Sequence, residues 1–425
     1  MAAEPDYGSG ERAVPIQSPS DVKYIRITDF DDDGIVPGNV FTTTENVEDR
    51  YRLDDGDVLF ARSGATAGKT FLFSSDLGPS IFAGYCIRFR FDRKKVLPEF
   101  IYLYTKTNRY QAWVRSIQRP SGQPNINKAE FKSFTIPVPL SDVQDTLVSE
   151  MEGAREARRR KLAESDALLA SLDPFVLERL GLSPTGALFA RSYAATLKDC
   201  WARCDPDYHS PRFKELRRAI EASGYPVYEL GRLAPNPRTG FAAGREAQSL
   251  SEQEGIPHVR PLNITRHGEL TFEGTKLVPR DSVDTNDILR MNEVLLNNTN
   301  STEWVGKTTV FEGQRQCCCS NHITRMTPER SLVVPWFLAA LLNAMRWSGY
   351  MGLLATNFVN QAGINTETLS ALRLPIPSID EQETIAAELT RRRSVARQLR
   401  EEAGREWEAA KVRFEVRLLG GAGAE

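Results

Sequence analysis

The chain has 425 residues, 41% hydrophobic and 26% charged, which is too long for one ordinary domain and apolar enough to bury two or three cores. A formal net charge of −2 excludes a uniformly basic coat, although phosphate affinity depends on where Lys and Arg sit rather than on their total. No run approaches the ~20 apolar residues that span a bilayer. The opening Met-Ala-Ala-Glu-Pro-Asp-Tyr lacks both the basic and the apolar part of a secretory signal, so a cytoplasmic, non-membrane protein is expected.

Taken in chain order, short alternating or β-branched runs come first: Lys23–Ile27, Asp57–Phe60, Lys69–Phe73 and Ala83–Phe91. Turns rich in Gly, Asp and Pro separate them, so they read as strands. A helical stretch follows at Pro98–Trp113, then Gln123-Pro124-Asn125-Ile126-Asn127 and a Pro-rich strand at Ile136–Pro139. A charged helix comes next, with Val143, Leu147, Met151, Ala154, Leu162, Leu168 and Leu172 near one stripe until Pro174 closes it. Beyond the linker lies a leader, Trp201–Thr239, with a helical Ser210–Ala222 and a strand-like Tyr225–Leu230. The order then returns: strands, a helix over Pro335–Met351, Gln361-Ala362-Gly363-Ile364-Asn365, and Leu374–Pro377. The second charged helix carries Ile385, Leu389, Ala396, Leu399, Ala403, Trp407, Ala410, Phe414 and Leu418.

The return is a duplication. Lys23–Arg26 aligns with Pro257–Arg260 at 260 − 26 = 234, and Gly34 meets Gly268 at the same offset. Gly56-Asp57-Val58-Leu59-Phe60 meets Asn292-Glu293-Val294-Leu295-Leu296, at 295 − 59 = 236. Gly68-Lys69-Thr70 meets Gly306-Lys307-Thr308, at 307 − 69 = 238, and the Gln-x-x-Ile-Asn segments, the Pro-rich strands and Gln144 with Gln382 keep that offset. An offset drifting by so little over this distance is the mark of duplicated domains with small loop insertions. Tyr7 is placed opposite Phe241, and the leader has no counterpart in the first copy, which therefore reads as truncated at its N-terminal edge or as begun too far downstream.

A turn-flanked Gly-Asp-Val-Leu-Phe, a later Gln-x-x-Ile-Asn and an Ile-Pro-Val-Pro before an acidic-Gln helix start, all duplicated, resemble the DNA specificity subunits of type I restriction–modification systems. Leu374-Pro375-Ile376-Pro377-Ser378-Ile379-Asp380-Glu381-Gln382-Glu383-Thr384-Ile385-Ala386 is particularly similar. The resemblance covers nearly the whole chain. It implies an α+β fold of two duplicated target-recognition domains, each followed by a long helix, with the two helices pairing as an antiparallel coiled coil. The expected boundaries are 1–140 for the first recognition domain, 141–180 for its helix and 181–200 for a linker. The second domain then spans 201–378, its helix 379–419 and a tail 420–425.

Each domain is expected to read one half of a bipartite site in double-stranded DNA, with the helices setting the gap. The implied partners are two methyltransferase subunits and the restriction/motor subunits. No cofactor is expected in this chain; S-adenosylmethionine, ATP and Mg are expected on the partners. The alternatives are a fused restriction–methylation enzyme, a scaffold, or a degenerate subunit that binds methyltransferases without competent DNA recognition.

No catalytic or metal-binding residue is expected. Ser63–Thr70 imitates a phosphate-binding loop but has Ser63 where the first Gly belongs, and reads instead as a hairpin turn exposing Lys69. Neither a Gly-rich methyl-donor turn nor an Asn/Asp-Pro-Pro-aromatic segment is found, and the acidic clusters read as turns and solvated surface. Cys200, Cys204 and His209 have half the spacing of a zinc site without a second half, and reduced thiols are the expectation for all six cysteines.

Base edges are distinguished by donors and acceptors: Arg and Lys suit guanine, Asn and Gln suit adenine. In the first copy the candidates are Arg62, Ser63, Lys69, Arg88, Gln118, Arg119, Ser121, Gln123 and Asn125. In the second they are Asn297, Asn298, Thr299, Asn300, Lys307, Asn321, His322, Asn357, Asn360 and Gln361. Tyr85 joins Arg88 as a weaker candidate, and Arg26 and Arg260 grip phosphates or form a repeated ion pair. Asn127 and Asn365 recur identically and are expected to hold the loop fold through backbone hydrogen bonds.

Overall fold

The computed structural model describes residues 3–117, 124–182, 192–196, 198, 203–244, 251, 255–313, 315–359 and 361–420. The chain divides into two units, Met1–Leu162 with Arg400–Glu425, and Ala163–Leu399.

At the centre of the first unit is the strand Val58–Ala61, flanked by Cys86–Phe89 and Thr70–Leu72, with Asp6–Tyr7 at the outer edge. Four apolar residues in a row suit a strand buried on both faces, because alternate side chains leave opposite sides of the pleat. Leu59 and Ala61 join Ile25, Phe30 and Phe71 in one core, while Val58 and Phe60 join Phe100, Tyr104 and Phe131 in another. A second small sheet runs Val14–Pro15, Thr42–Thr43, Lys23–Ile25, Ser80–Phe82, the last pair parallel.

The second unit repeats the plan residue by residue. Val294–Asn297 lies between Ile323–Met326 and Thr308–Val310, with Arg238–Thr239 at the edge. Leu295 joins Val259, Ile264 and Phe311, whereas Val294 and Leu296 face the helical core. The parallel pair recurs in register, Tyr24 with Ile81 and His258 with Cys318. The turn before the central strand demands a positive φ in both copies, supplied by Gly56 at 85° and by Asn292 at 71°. Pairing also corrects one alignment. Tyr7 pairs with Ile87 as Thr239 does with Thr324, so Tyr7 matches Thr239, and Ser9, bridged to Ala83, matches Phe241, bridged to Ser320.

Each helical stretch is broken once, into Pro98–Tyr104 and Asn108–Ile117 in the first copy and Pro335–Trp347 and Tyr350–Leu354 in the second. Lys106, at the first break, donates to the Thr70 carbonyl at 3.3 Å; its counterpart Asn343 donates to the Thr308 carbonyl at 2.7 Å. The Pro-rich strand forms only in the second copy, as Arg373–Pro375 paired with Val227–Glu229 of the leader. Among the described residues nothing pairs with the first copy's equivalent.

The duplicated glutamines close each domain. Gln144, 2% exposed, accepts from the Leu97 amide at 2.9 Å and donates to the carbonyls of Lys95 and Pro139. Gln382, 0% exposed, accepts from Val334 at 2.8 Å and donates to Leu332 and Pro377. Each ties the first helix of its domain to the start of the long helix that follows.

The long helices are Ser141–Ala170 and Ile379–Gly420. In the first unit Leu147 and Met151 pack with Ala410, Phe414 and Leu418, and Lys161 pairs with Glu402 and Glu406 while Arg417 pairs with Glu150. In the second, Ser165 donates to the Ala396 carbonyl at 2.9 Å and Arg392 to Ser171. Early residues of one helix meet late residues of the other in both units, so they pair antiparallel. Leu389, Ala396, Ala403 and Ala410 recur every seventh residue in the buried seam. Two expectations are corrected. Val143 is 36% exposed and Gln144 takes the inward place. Pro174 ends nothing: the helix breaks at Ser171, and Leu172–Arg179 starts anew with Pro174 in its first turn, where a missing amide costs little.

Candidate nucleic-acid interface

In each domain one end of the central sheet carries a loop held by two others. The frame is the same in both copies. In the first, the Arg62 amide donates to the Tyr85 carbonyl at 2.9 Å, Ile126 donates to Arg62 at 2.8 Å, and Ser63 bridges to Asn125. In the second, Asn298 donates to His322 at 3.0 Å, Ile364 donates to Asn298 at 2.9 Å, and Thr299 pairs with Gly363. Asn127 and Asn365 then cap the next helix, accepting from Glu130 at 2.9 Å and Thr368 at 2.7 Å. Their recurrence is thus a capping requirement.

What stands on the frame differs. In the first unit the Tyr7 ring, 39% exposed, lies between two cations: the Arg62 guanidinium is 4.9 Å from its centroid and the Lys128 ammonium 5.8 Å. Arg62 Nε also reaches Asn125 Oδ1 at 3.4 Å, and Tyr85 stands beside them, 63% exposed. Lys132, one turn beyond Lys128, hydrogen-bonds Glu4 and lowers its carboxyl below the ordinary value. Ser63 and Lys69 are half-buried on the adjoining turn.

The second unit presents a neutral, amide-rich groove of about 340 Å³ lined by Thr239, Asn298, Thr299, Asn321, Thr356 and Phe358. Phe358 and Val359 are 65% and 92% exposed, and Asn321, His322 and Gln361 are exposed beside them. Asn300 is half-buried and accepts from the Ser301 amide. Asn357 is exposed, but its amide is held by Asp207 at 3.0 Å and Thr302 at 3.2 Å.

Four candidates are corrected. Arg88 is 4% exposed and donates to the backbone of Arg50 and Arg52 and to Asp6. Its counterpart Arg325, 1% exposed, forks onto Glu293 at 2.6 and 2.7 Å. Asn297 is fully buried on the Trp304 carbonyl, and the Asn298 amide is satisfied by Asn321 and Thr324. Lys307 is turned inward onto the carbonyls of Pro261 and Ile264, and burial pushes its ammonium down to about 8. These four hold the frame, and of them only Asn298 touches the groove, at 5% exposure. Gln118, Arg119, Ser121, Gln123 and Asn360 lie outside the described residues. Arg26 forms the ion pair with Asp29 at 2.8 Å, whereas Arg260 meets Asn263 through its backbone, so the ion pair is not repeated.

The imitation phosphate loop is a turn. Gly68 and Gly306 take φ of 90° and 91°, and a Cβ at either would lie within 2.8 Å of Val114 or Met351. Both are glycine because a helix lies against them. The buried Cys317, Cys318 and Cys319 have thiols raised by burial, to about 11, 12 and 12, and Cys86 is buried as well. Cys204 is exposed, Cys200 lies outside the described residues, and His209 Nε2 is engaged by the Arg203 carbonyl. No described helix is long and apolar enough to cross a membrane.

A family model for the type I restriction modification DNA specificity domain matches residues 13–152, most of the first domain and the start of its long helix. That stretch is similar to the DNA specificity domain of type I restriction modification systems. The MjaX specificity subunit of Methanocaldococcus jannaschii is 24% identical over 184 residues, covering 42% of this chain and 42% of its own. The StySPI specificity subunit of Salmonella potsdam is 23% identical over 194 residues, covering 44% and 40%. These matches span under half the length of either relative. A solved chain of a type I R-M system aligns over 97% of this chain and 95% of its own at a TM-score of 0.56 and 16% identity, showing a shared fold. The fold is therefore that of two duplicated α+β domains with long helices that pair antiparallel. Tyr7, Lys128 and Phe358 were missed as candidates. Tyr7 and Lys128 come from opposite ends of the first domain, and only pairing at the sheet edge brings them together.

Proposed function

We propose that this chain is the DNA-reading, non-catalytic subunit of a type I restriction–modification complex, each domain reading one half of a bipartite duplex site. The observation that carries this reading is one backbone frame, built twice, bearing different side chains. Arg62 and Lys128 offer fixed cationic donors, the guanidinium matching the O6 and N7 acceptors of guanine. Gln361 and Asn321 offer amides suited to adenine, and Phe358 an apolar contact suited to a thymine methyl. Two chemistries on one frame are what two different half-sites require. The antiparallel helices would set the gap between them. Methyltransferase subunits carrying S-adenosylmethionine would then modify adenines, and motor subunits using ATP and Mg would cleave. The family's DNA-recognition role supports assigning catalysis to those partners.

The test is co-expression with a cognate methyltransferase subunit and mapping of methylated adenines in host DNA. A split motif is expected. Replacing Asn321, His322, Phe358 and Gln361 by Ala should relax one half of it and leave the other unchanged. A stable complex that methylates no motif would favour a scaffold instead, and a motif that loses both halves together would contradict the two-reader assignment.

A further inference from the structure

We infer that Arg155 and Arg393 are positioning residues that lock each duplicated domain onto its long helix at a fixed angle, so that losing either lets the gap between half-sites vary. The inference rests on the reading proposed above, in which the helices set that gap. Each domain is already tied once to the start of its helix, through Gln144 or Gln382. The arginines follow those glutamines at equal distance along the chain, 155 − 144 = 11 and 393 − 382 = 11 residues. At about 1.5 Å per residue, each makes a second tie roughly 16 Å further along the helix axis. A single tie leaves the domain free to swivel about it; two fix the axis.

The partners repeat from one unit to the other. Arg155 donates to the Asp33 carbonyl at 2.7 Å and to the Tyr102 hydroxyl at 2.8 Å, with its guanidinium 5.1 Å from that ring's centroid. Arg393 donates to the His267 carbonyl at 3.1 Å and lies 5.5 Å from the Trp336 ring. Asp33 and His267 are equivalent at the offset of 234, and each precedes a glycine at positive φ, Gly34 at 120° and Gly268 at 77°. Tyr102 and Trp336 both belong to the first helix of their domain. One guanidinium therefore joins three elements: the long helix, a tight turn of the domain and the domain's first helix. One turn further along, Arg159 donates to the Asp33 carbonyl and Arg397 meets Glu269 at 3.4 Å. The two turns, Asp32-Asp33-Gly34-Ile35 and Arg266-His267-Gly268-Glu269, share only the glycine. A backbone carbonyl accepts whatever side chain it carries, so the contact outlasts that divergence, and even the cost is repeated: the Nε of both arginines is buried without a partner. Neither arginine hydrogen-bonds a candidate base-reading residue.

The test uses the full chain co-expressed with a cognate methyltransferase subunit, as the parent, Arg155→Met, Arg393→Met and the double variant. Methionine keeps a long apolar stem and removes the donors. Methylated adenines in host DNA are sorted by the gap between half-sites, and the parent should modify one split motif at a single gap. Each single variant should keep both half-site sequences and modify sites with a gap one base pair longer or shorter at least about tenfold more often than the parent, the scale of one lost charge-assisted hydrogen bond. The double variant should spread further, whereas Arg155→Lys, still a cation over Tyr102 with a donor, should stay nearer the parent. Hydrogen exchange on the purified chain separates this from misfolding: in Arg155→Met the amides of residues 33–36 should exchange faster while Val58–Ala61 stays protected. Arg393→Met repeats the test in the other domain. An unchanged single gap, an equal fall in methylation at every gap, or a relaxed half-site sequence would each overturn the proposal. A parent that methylates no split motif would instead overturn the reading on which it rests.

Discussion

Arg88 and Arg325 show why residue type alone misleads. Both are arginines on a strand beside the candidate loop, and both are spent on the interior. Arg325 satisfies Glu293 and two backbone carbonyls from a site 1% exposed, whereas Arg88 divides itself among Asp6, Asp57 at 3.8 Å and two carbonyls. Buried ion pairs persist only when such bonds offset desolvation. Asp173 is the opposite case. Burial pushes its carboxyl up to about 6 although Arg346, at 3.7 Å, and Arg393 both pull it down. The folded value lies above the unfolded one of roughly 3.9. Folding therefore favours the protonated acid, and that contribution is present below about pH 4 and lost as pH rises through about 6. Asp173→Asn is expected to gain on the parent between those limits. Urea midpoints of both proteins measured at intervals from pH 4 to 7 should diverge in favour of Asn; parallel curves would contradict the assignment.

At the scale of elements, the two glutamines carry the most information per residue. Each lies at the junction of a Pro-rich strand, a short helix and a long helix, and each makes three hydrogen bonds to backbone from a buried position. Gln382→Ala leaves the Val334 amide and two carbonyls without partners. A loss of about 2–3 kcal/mol follows from the cost of buried unsatisfied groups, read from urea unfolding with the m-value held. Gln382→Glu would keep the acceptor but set a buried carboxylate against two carbonyl oxygens, so a loss at least as large as that of alanine is expected in the same experiment. The helix seam follows a related economy. Alanines at 396, 403 and 410 and Ser165 on the partner helix let the two backbones approach closely enough for a hydroxyl to reach a carbonyl.

For the whole molecule the charge total of −2 hides a local contrast. The first domain's candidate loops present Arg62, Lys128 and Lys132, while the second's are nearly neutral. Counterion release follows local cations rather than net charge, at about −0.9 in log–log slope per phosphate neutralised. On the proposed reading, Lys128→Ala should therefore flatten the salt dependence of duplex binding by roughly one such increment. Phe358→Ala with Gln361→Ala should weaken specific binding and leave that slope unchanged. Equal slopes for all three proteins would place the phosphate contacts elsewhere.

Much of this protein was legible in the sequence. The duplication, the β-branched runs of each central strand, the long charged helices and the recurring Asn127 and Asn365 follow from periodicity, turn chemistry and fixed spacing, all local along the chain. The Tyr7–Phe241 alignment failed because an edge strand of two residues has too little pattern to hold register. The tertiary structure alone decided which polar residues face out. Lys69 and Lys307 share a motif, yet only Lys307 is drawn inside, because the carbonyls of Pro261 and Ile264 lie where its ammonium can reach them. Likewise Val138 and Ile376 are equivalent in sequence, and only the presence of a covering strand and helix makes one interior and leaves the other open. Local pattern sets what an element is; burial depends on what the distant chain lays over it.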